Sequence, residues 1–333
     1  MKELEYKAAH LEPRQLISIF FGGGTPSLMP PDIVAEVIHA AKNYWRAREE
    51  DLEVTLEANP NSAEQERFKD FRQAGINRLS LGVQSFDDQA LRFLGRAHNA
   101  VEAQKAISWA KEIFPRFTFD LIYARPDQGI EEWENELEIA LHYQPRHLSL
   151  YQLTIEKGTK FEQMYDKGEI DMPDEENSLA FFNFTQDRLK EAGLPAYEIS
   201  NHALIGEESR HNLTYWRYED YLGIGPGAHG RIQREDGVYA IRQHRAPEIW
   251  LERVERDGHA TQEYKILSKE EQIQEKILMG LRLREGLPLA EVQALRIDEL
   301  VQRNFLEITQ DRLRLTDKGR PLLNAILDKM LNA

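Results

Sequence analysis

Residues 16–45 read LISIFFGGGTPSLMPPDIVAEVIHAAKNYW and hold one complete strand-to-helix unit. Leu16–Phe21 is a short apolar run that stops at Gly22-Gly23-Gly24, the pattern of a buried strand ending in a turn. Pro31-Asp32 then opens a helix, with proline at a position where its missing N–H costs nothing. Val34, Val37, Ile38, Ala41 and Trp45 recur at helical spacing and form one apolar face.

The same unit recurs downstream without sequence repetition. Leu52–Glu57 is a strand and Ala63–Ala74 a helix closed by Gly75. Arg78–Val83 is a strand, followed by two helical segments, the second lined by Ala103, Ile107, Ala110 and Phe114. Phe117–Tyr123 is a strand, Glu131–Tyr143 a helix presenting Trp133, Leu137 and Leu141, and His147–Leu153 a strand. Five strands alternating with helices across short connections predict a parallel sheet covered by helices. The pattern suits a doubly wound sheet or a barrel; five strands are too few for a closed eight-stranded barrel, so an open or incomplete one is expected. Upstream, Leu4, Ala8 and Leu11 place a helix at the start of the chain.

Beyond residue 153 the pattern loosens. A helix is expected at Glu175–Ala192, and residues 201–245, rich in His, Tyr, Gly and Arg, read as an elaborate loop region. Ser268–Arg284 is a helix, short helices follow near 289–303, Phe305–Leu315 is a hairpin with Asp311 near its tip, and Thr316–Leu331 closes the chain. Helices followed by a small hairpin resemble a winged-helix module. The expected domains are 1–200, 201–267 and 268–333.

Bulk composition narrows the function classes. The 333 residues carry 42 Lys+Arg against 57 Asp+Glu, a formal charge of −15, which argues against a nucleic-acid backbone as main partner. No apolar run approaches the roughly 18 residues that span a bilayer, and the charged start lacks a signal-peptide core. A cytoplasmic location is expected. There is no cysteine, so disulfides, thiolate metal sites and cysteine nucleophiles are all excluded, and a metal would need His, Asp or Glu.

Parallel α/β folds bind ligands at the carboxyl ends of their strands. After the first strand come Gly22, Gly23, Gly24 and Thr25, whose N–H groups suit a carboxylate or phosphate, or simply make a tight turn. Glu57 ends the second strand and suits an ammonium group or ribose hydroxyls, or is a solvated turn residue. Gln84 follows the third strand with both a donor and an acceptor, or as an ordinary loop amide. Gly95-Arg96-Ala97-His98 adds a cation and an imidazole. Asp120 lies within an otherwise apolar strand and needs a partner or a ligand. Together they would suit a zwitterionic amino acid carrying a ribose. Further on, His211-Asn212-Leu213-Thr214-Tyr215-Trp216 offers an imidazole able to ligate iron and two flat aromatic surfaces for a macrocycle. The other reading makes His211 and Asn212 hydrogen-bonded scaffold.

FFGGGTPSLM, LEANP, RLSLGVQSFD, LGRAH and FDLIY, in that order, resemble the radical-SAM family of oxygen-independent coproporphyrinogen III oxidases and their relatives. YEISN, HNLTYW and YLGIGPGAH narrow the resemblance to the heme-chaperone branch, HemW. It runs from about Leu16 to the carboxyl end. By position it implies that Gly22, Gly23, Gly24, Thr25, Glu57, Gln84, Arg96 and Asp120 contact S-adenosylmethionine. It implies that His211, with Tyr215 and Trp216, belongs to a heme-associated motif. The implied role is heme binding and delivery to acceptor hemoproteins. The alternatives are the sister branch's decarboxylation of coproporphyrinogen III in porphyrin biosynthesis, or an inactive scaffold binding S-adenosylmethionine or heme.

The family opens with one more strand and a loop bearing CxxxCxxC, whose three thiolates hold a 4Fe–4S cluster. This sequence contains neither, so an incomplete barrel lacking its first strand is expected, with a cluster it cannot ligate. A second departure lies beside Asp120. The family usually reads DLIYGLPGQ, whereas Tyr123 is followed here by Ala124-Arg125-Pro126-Asp127-Gln128. A bulky Arg125 and fewer glycines are expected to alter the backbone there.

Overall fold

The computed structural model describes residues 1–48, 50–60, 65–292 and 297–331. Its backbone divides into two compact units. One comprises Phe20–Val34 and Val54–Glu208; the other comprises Met1–Ile19, Ala35–Glu53 and Ser209–Ala333.

The first unit is organised by a six-stranded sheet: β1 (Ser18–Phe21), β2 (Glu53–Ala58), β3 (Arg78–Gln84), β4 (Arg116–Tyr123), β5 (His147–Gln152) and β6 (Asn201–Ala203). Their order in space equals their order in the chain, and among the described residues β1 and β6 form the two edges of the sheet, an incomplete parallel (β/α) barrel. Ladders β2–β3, β3–β4 and β4–β5 are parallel, while β5–β6 is antiparallel. Parallel strands are covered on both faces and should be apolar throughout. Leu79, Leu81, Val83, Phe119, Leu121, Leu148 and Leu150 accordingly lie buried.

Helices follow the strands as expected, at Gln65–Gln73, Ala100–Ile113 and Ile130–His142. Residues 63 and 64, at the expected start of the first of these, lie outside the described residues. The helix at Ala100 starts where Asn99 Oδ1 accepts from Glu102 N and Glu102 Oε2 accepts from Asn99 N, a reciprocal cap. Its buried face is Ala103, Ala106, Ile107 and Ala110. Trp133 of the next helix is fully buried and stacks on Tyr123 at 4.8 Å, and its indole N–H donates to Thr185 Oγ1 at 2.8 Å.

Two expectations are corrected. The run 16–21 is two short strands, because Gln15–Leu16 pairs in parallel with Arg46–Ala47 while Ser18–Phe21 belongs to the main sheet. The segment 201–245 is ordered structure and not a loop region. It supplies β6, a helix at Arg210–Trp216, and strands β7 (His229–Arg234) and β8 (Gly237–Gln243). With β9 (Thr261–Ile266) these last two form an antiparallel sheet in the order β9-β8-β7. Only scattered apolar residues, Ile232, Val238, Ala240 and Ile241, are buried there, and arginines and glutamines between them mask the alternation.

The carboxyl-terminal part of the second unit is the expected small winged module. The helix Lys269–Gly280 starts from a reciprocal cap between Ser268 and Glu271. Strands β10 (Leu287–Pro288), β11 (Leu306–Thr309) and β12 (Arg312–Leu315) form a sheet in the order β10-β12-β11. The β11–β12 turn puts both Gln310 (φ 50°) and Asp311 (φ 60°) in the left-handed region. That is the turn geometry whose twist matches a two-residue hairpin. Residues 293–296, within the segment of short helices, lie outside the described residues.

Candidate functional site

The carboxyl ends of β1 to β4 gather the polar residues picked out above. The glycine run leaves β1 with Gly23 (φ 79°) and Gly24 (φ 60°) in the left-handed region, which glycine adopts without strain. A Cβ at Gly22 would meet the Phe20 ring at 2.6 Å and Glu57 Oε2 at 3.3 Å, so the loop lies close against the end of β2. Gly23 donates its amide hydrogen to Glu57 Oε2 at 3.3 Å. Burial pushes the Glu57 carboxyl above its ordinary range, and the Gly23 hydrogen bond partly offsets this. Thr25 follows the glycines, and its carbonyl accepts from Leu28 N at 3.0 Å.

Strands β3 and β4 are joined at the same end. Asp120 Oδ1 accepts from Val83 N at 3.0 Å, and Oδ2 accepts from Gln84 Nε2 at 2.5 Å. Gln84 reaches it from a left-handed backbone (φ 73°) at the irregular end of β3. Asp120 is raised to about 6, chiefly by burial, with the Gln84 hydrogen bond and the positive charge of Arg96 acting in the opposite direction. Arg96 Nε is buried without a hydrogen-bond partner. A buried guanidinium nitrogen with an unused hydrogen suits an acceptor group on a ligand. His98 serves the frame, since its Nε2 pairs with Val83 O at 3.0 Å and burial lowers its basicity. Glu57, Gln84, Arg96, Asp120 and the glycine run therefore share the strand ends of one unit.

The departure at 124–128 has a structural answer. Ala124 (φ 54°) and Asp127 (φ 59°) adopt a left-handed backbone despite having side chains. Arg125 turns inward and is buried in an ion pair with Glu136. Its guanidinium also donates to Ser85 Oγ at 3.2 Å and Ile122 O at 2.8 Å. Glu136 in turn accepts from Ser85 Oγ at 2.5 Å and from Phe86 N at 2.8 Å. This network fixes the two residues after Gln84. Composition and periodicity carried no sign of it, because a buried Arg–Glu pair looks like two surface charges in sequence.

In the second unit, the HNLTYW motif forms the helix Arg210–Trp216, started by Ser209, whose Oγ accepts from Asn212 N at 3.3 Å. Residues four apart lie on one face. The His211 and Tyr215 rings meet edge to face at 4.6 Å, and Tyr215 meets Tyr221 the same way at 4.5 Å. Burial raises the Tyr215 hydroxyl to about 12, so it stays protonated. Trp216 points elsewhere. It lies under the Arg282 guanidinium at 4.5 Å and lines a cavity of about 420 Å³ with Tyr218, Val238, Leu283 and Leu287. Its indole N–H is buried without a partner. The helix thus brings His211 and Tyr215 together and directs Trp216 to a different wall. Two residues behind this helix had not been singled out, Glu53 and Ser209. Glu53, Thr55 and Glu57 alternate along β2, and that polar alternation was the available signal.

An open, parallel, helix-covered sheet with its ligand-type residues at the strand ends and a small winged module at the carboxyl end defines the class. The Radical SAM superfamily model matches residues 1–140, and the HemN C-terminal domain model matches residues 267–322. The coproporphyrinogen III oxidase HemN of Escherichia coli has a similar fold, with a TM-score of 0.78 and 20% identity over 98% of this chain and 80% of that one. Sequence relatives are nearer. A mitochondrial radical S-adenosyl methionine domain-containing protein 1 of Danio rerio is 36% identical, covering 99% of this chain and 78% of its own length. The heme chaperone HemW of Haemophilus influenzae is 36% identical, covering 96% of this chain and 84% of its own. That of Escherichia coli is 34% identical, covering 99% and 88%. The chain belongs to the HemW family within the radical-SAM superfamily.

Among the described residues, no helix is long and apolar enough to cross a membrane. The 4Fe–4S cluster implied by the superfamily does not fit these residues. It needs three thiolates, and the sequence has no cysteine. Among the described residues, no group of three or more His, Asp or Glu could hold a metal ion instead.

Proposed function

We propose that this chain is a heme-binding chaperone of the HemW type that delivers heme to acceptor hemoproteins. The observation carrying this reading is the identity of 36% and 34% to two proteins named heme chaperone HemW, over nearly the whole chain. The HNLTYW helix is complete within that span. His211 ligates the iron of the heme cargo through a ring nitrogen, and Tyr215 supplies aromatic surface to the macrocycle, while Trp216, turned to a different wall under Arg282, is left out of that surface. The likeness to HemN, at 20% identity, speaks for the fold and not for decarboxylation.

S-adenosylmethionine is the second ligand of this reading. Gly22, Gly23, Gly24 and Thr25 take its carboxylate end. Glu57 faces the ammonium or ribose hydroxyls, and Gln84, Arg96 and Asp120 surround the remainder. The orphaned Arg96 Nε supports this assignment, since a ligand acceptor would satisfy it. The residues hold and orient the molecule. The cluster that would cleave it has no thiolate ligands in this chain.

Transfer tests the function. The heme-loaded chain is mixed with a heme-free hemoprotein, and the acceptor's Soret band is followed. The reading expects appearance of the holo-acceptor spectrum with matching loss from the donor. Retention of all heme on this chain, or transfer no faster than from serum albumin loaded with heme, contradicts a chaperone role.

A further inference from the structure

We propose that Glu53 is a positioning residue for His211, setting the direction of the imidazole from beneath the helix that carries it. This rests on the heme-binding reading above. Glu53 lies at the start of β2 and is 2% exposed. A carboxylate so buried must be hydrogen-bonded, and its partners reveal its task. Its Oε1 accepts the amide hydrogen of His211 at 3.1 Å and the hydroxyl hydrogen of Ser209 at 3.4 Å. Ser209 Oγ in turn accepts from Asn212 N at 3.3 Å. One carboxylate oxygen thereby holds the N-cap residue and the second residue of the helix, and through Ser209 the third.

The helix needs such a hold. Arg210–Trp216 has seven residues, far below the length at which a helix is stable alone, so its direction is set by what its ends touch. His211 stands in the first turn, where fraying would swing the ring most. Glu53 itself is anchored, because its backbone N–H donates to Ile17 O at 3.1 Å and it opens a sheet strand. A ligand-bearing residue held from a strand by a buried carboxylate is a pre-organised one. Glu53 touches no heme in this account. It acts through the backbone of His211.

The test compares Glu53→Ala, Glu53→Gln and Leu306→Ala. The last removes a buried side chain of β11 and serves as a matched destabilised control. Heme titration is followed by the Soret band, and exchange of the His211 amide by hydrogen–deuterium exchange. Loss of a charged hydrogen-bond acceptor predicts about tenfold weaker heme binding in Glu53→Ala. At saturation its band should shift toward that of His211→Ala. Glu53→Gln keeps an acceptor oxygen and should stay within about threefold of the parent. Leu306→Ala should bind heme like the parent. Parental affinity and spectrum in Glu53→Ala overturn the proposal, and so does equal weakening in Glu53→Ala and Leu306→Ala. If the parent chain binds no heme, the heme reading fails, and the exchange data judge Glu53 alone. Faster exchange at His211 in Glu53→Ala, restored in Glu53→Gln, supports the positioning role; unchanged exchange refutes it.

Discussion

Gln84 Nε2 donates to Asp120 Oδ2 at 2.5 Å, and Asp120 Oδ1 accepts the Val83 amide hydrogen, so the end of β3 is fastened to the interior of β4 by one carboxylate. The two donors satisfy Asp120 within the protein. Burial nevertheless raises it to about 6, well above its ordinary 3.8. The folded chain therefore binds a proton more tightly than the unfolded chain. Stability contributed by this group is present in full below the unfolded value and is lost as pH rises through the folded one.

Asp120→Asn removes this titration. The stability difference between parent and variant should move in favour of the variant as pH rises from about 4 to about 6 and then level off. Urea denaturation at several pH values reads it. A difference that is flat across that range would show that Asp120 does not titrate there.

Calorimetry should detect S-adenosylmethionine binding that Asp120→Ala loses, because Ala releases Gln84 and removes the carboxylate beside Arg96. Equal affinity in both proteins would take Asp120 out of the site. Incubation with iron and sulfide under reducing conditions should give no stoichiometric 4Fe–4S spectrum, since no thiolate is available.

Ala124 occupies a left-handed backbone (φ 54°) that costs a residue with a Cβ about 1–2 kcal/mol. Glycine relieves that strain but adds freedom to the unfolded chain. Ala124→Gly should therefore stabilise the fold by about 0.5–1 kcal/mol. A higher denaturation midpoint with unchanged slope is the expected reading, and a lower midpoint would count against strain at this position.

Arg125 and Glu136 are each buried and hold Ser85 and Phe86 between them. Arg125→Met leaves the Glu136 charge without its ionic partner and should cost about 3–5 kcal/mol. Arg125→Met with Glu136→Gln should cost less than that single change. Additive losses in the double-mutant cycle would show that the pair is not coupled.

The alternation of strands and helices was legible because parallel strands announce themselves as apolar runs. Gly22–Gly24 stood out for the same reason that they are needed, a backbone that must turn without a side chain. The β7–β8–β9 sheet was hidden, since β9 buries none of its residues fully and β7 and β8 carry Arg and Gln between the ones they bury. Arg125 was noticed as a departure, but its role was not readable. Whether an arginine faces water or a buried glutamate depends on a partner 11 residues away in sequence and across a loop in space. The alternation along β2 marks Glu53, but its partners were equally unreadable, lying more than 150 positions further on.

His211 as heme ligand is the central claim, and an equilibrium heme titration of the parent chain and His211→Ala tests it most directly. With His211 as ligand, the parent should show a saturable Soret shift and the variant a displaced band with clearly weaker binding. Identical spectra and identical affinity in the two proteins would contradict it.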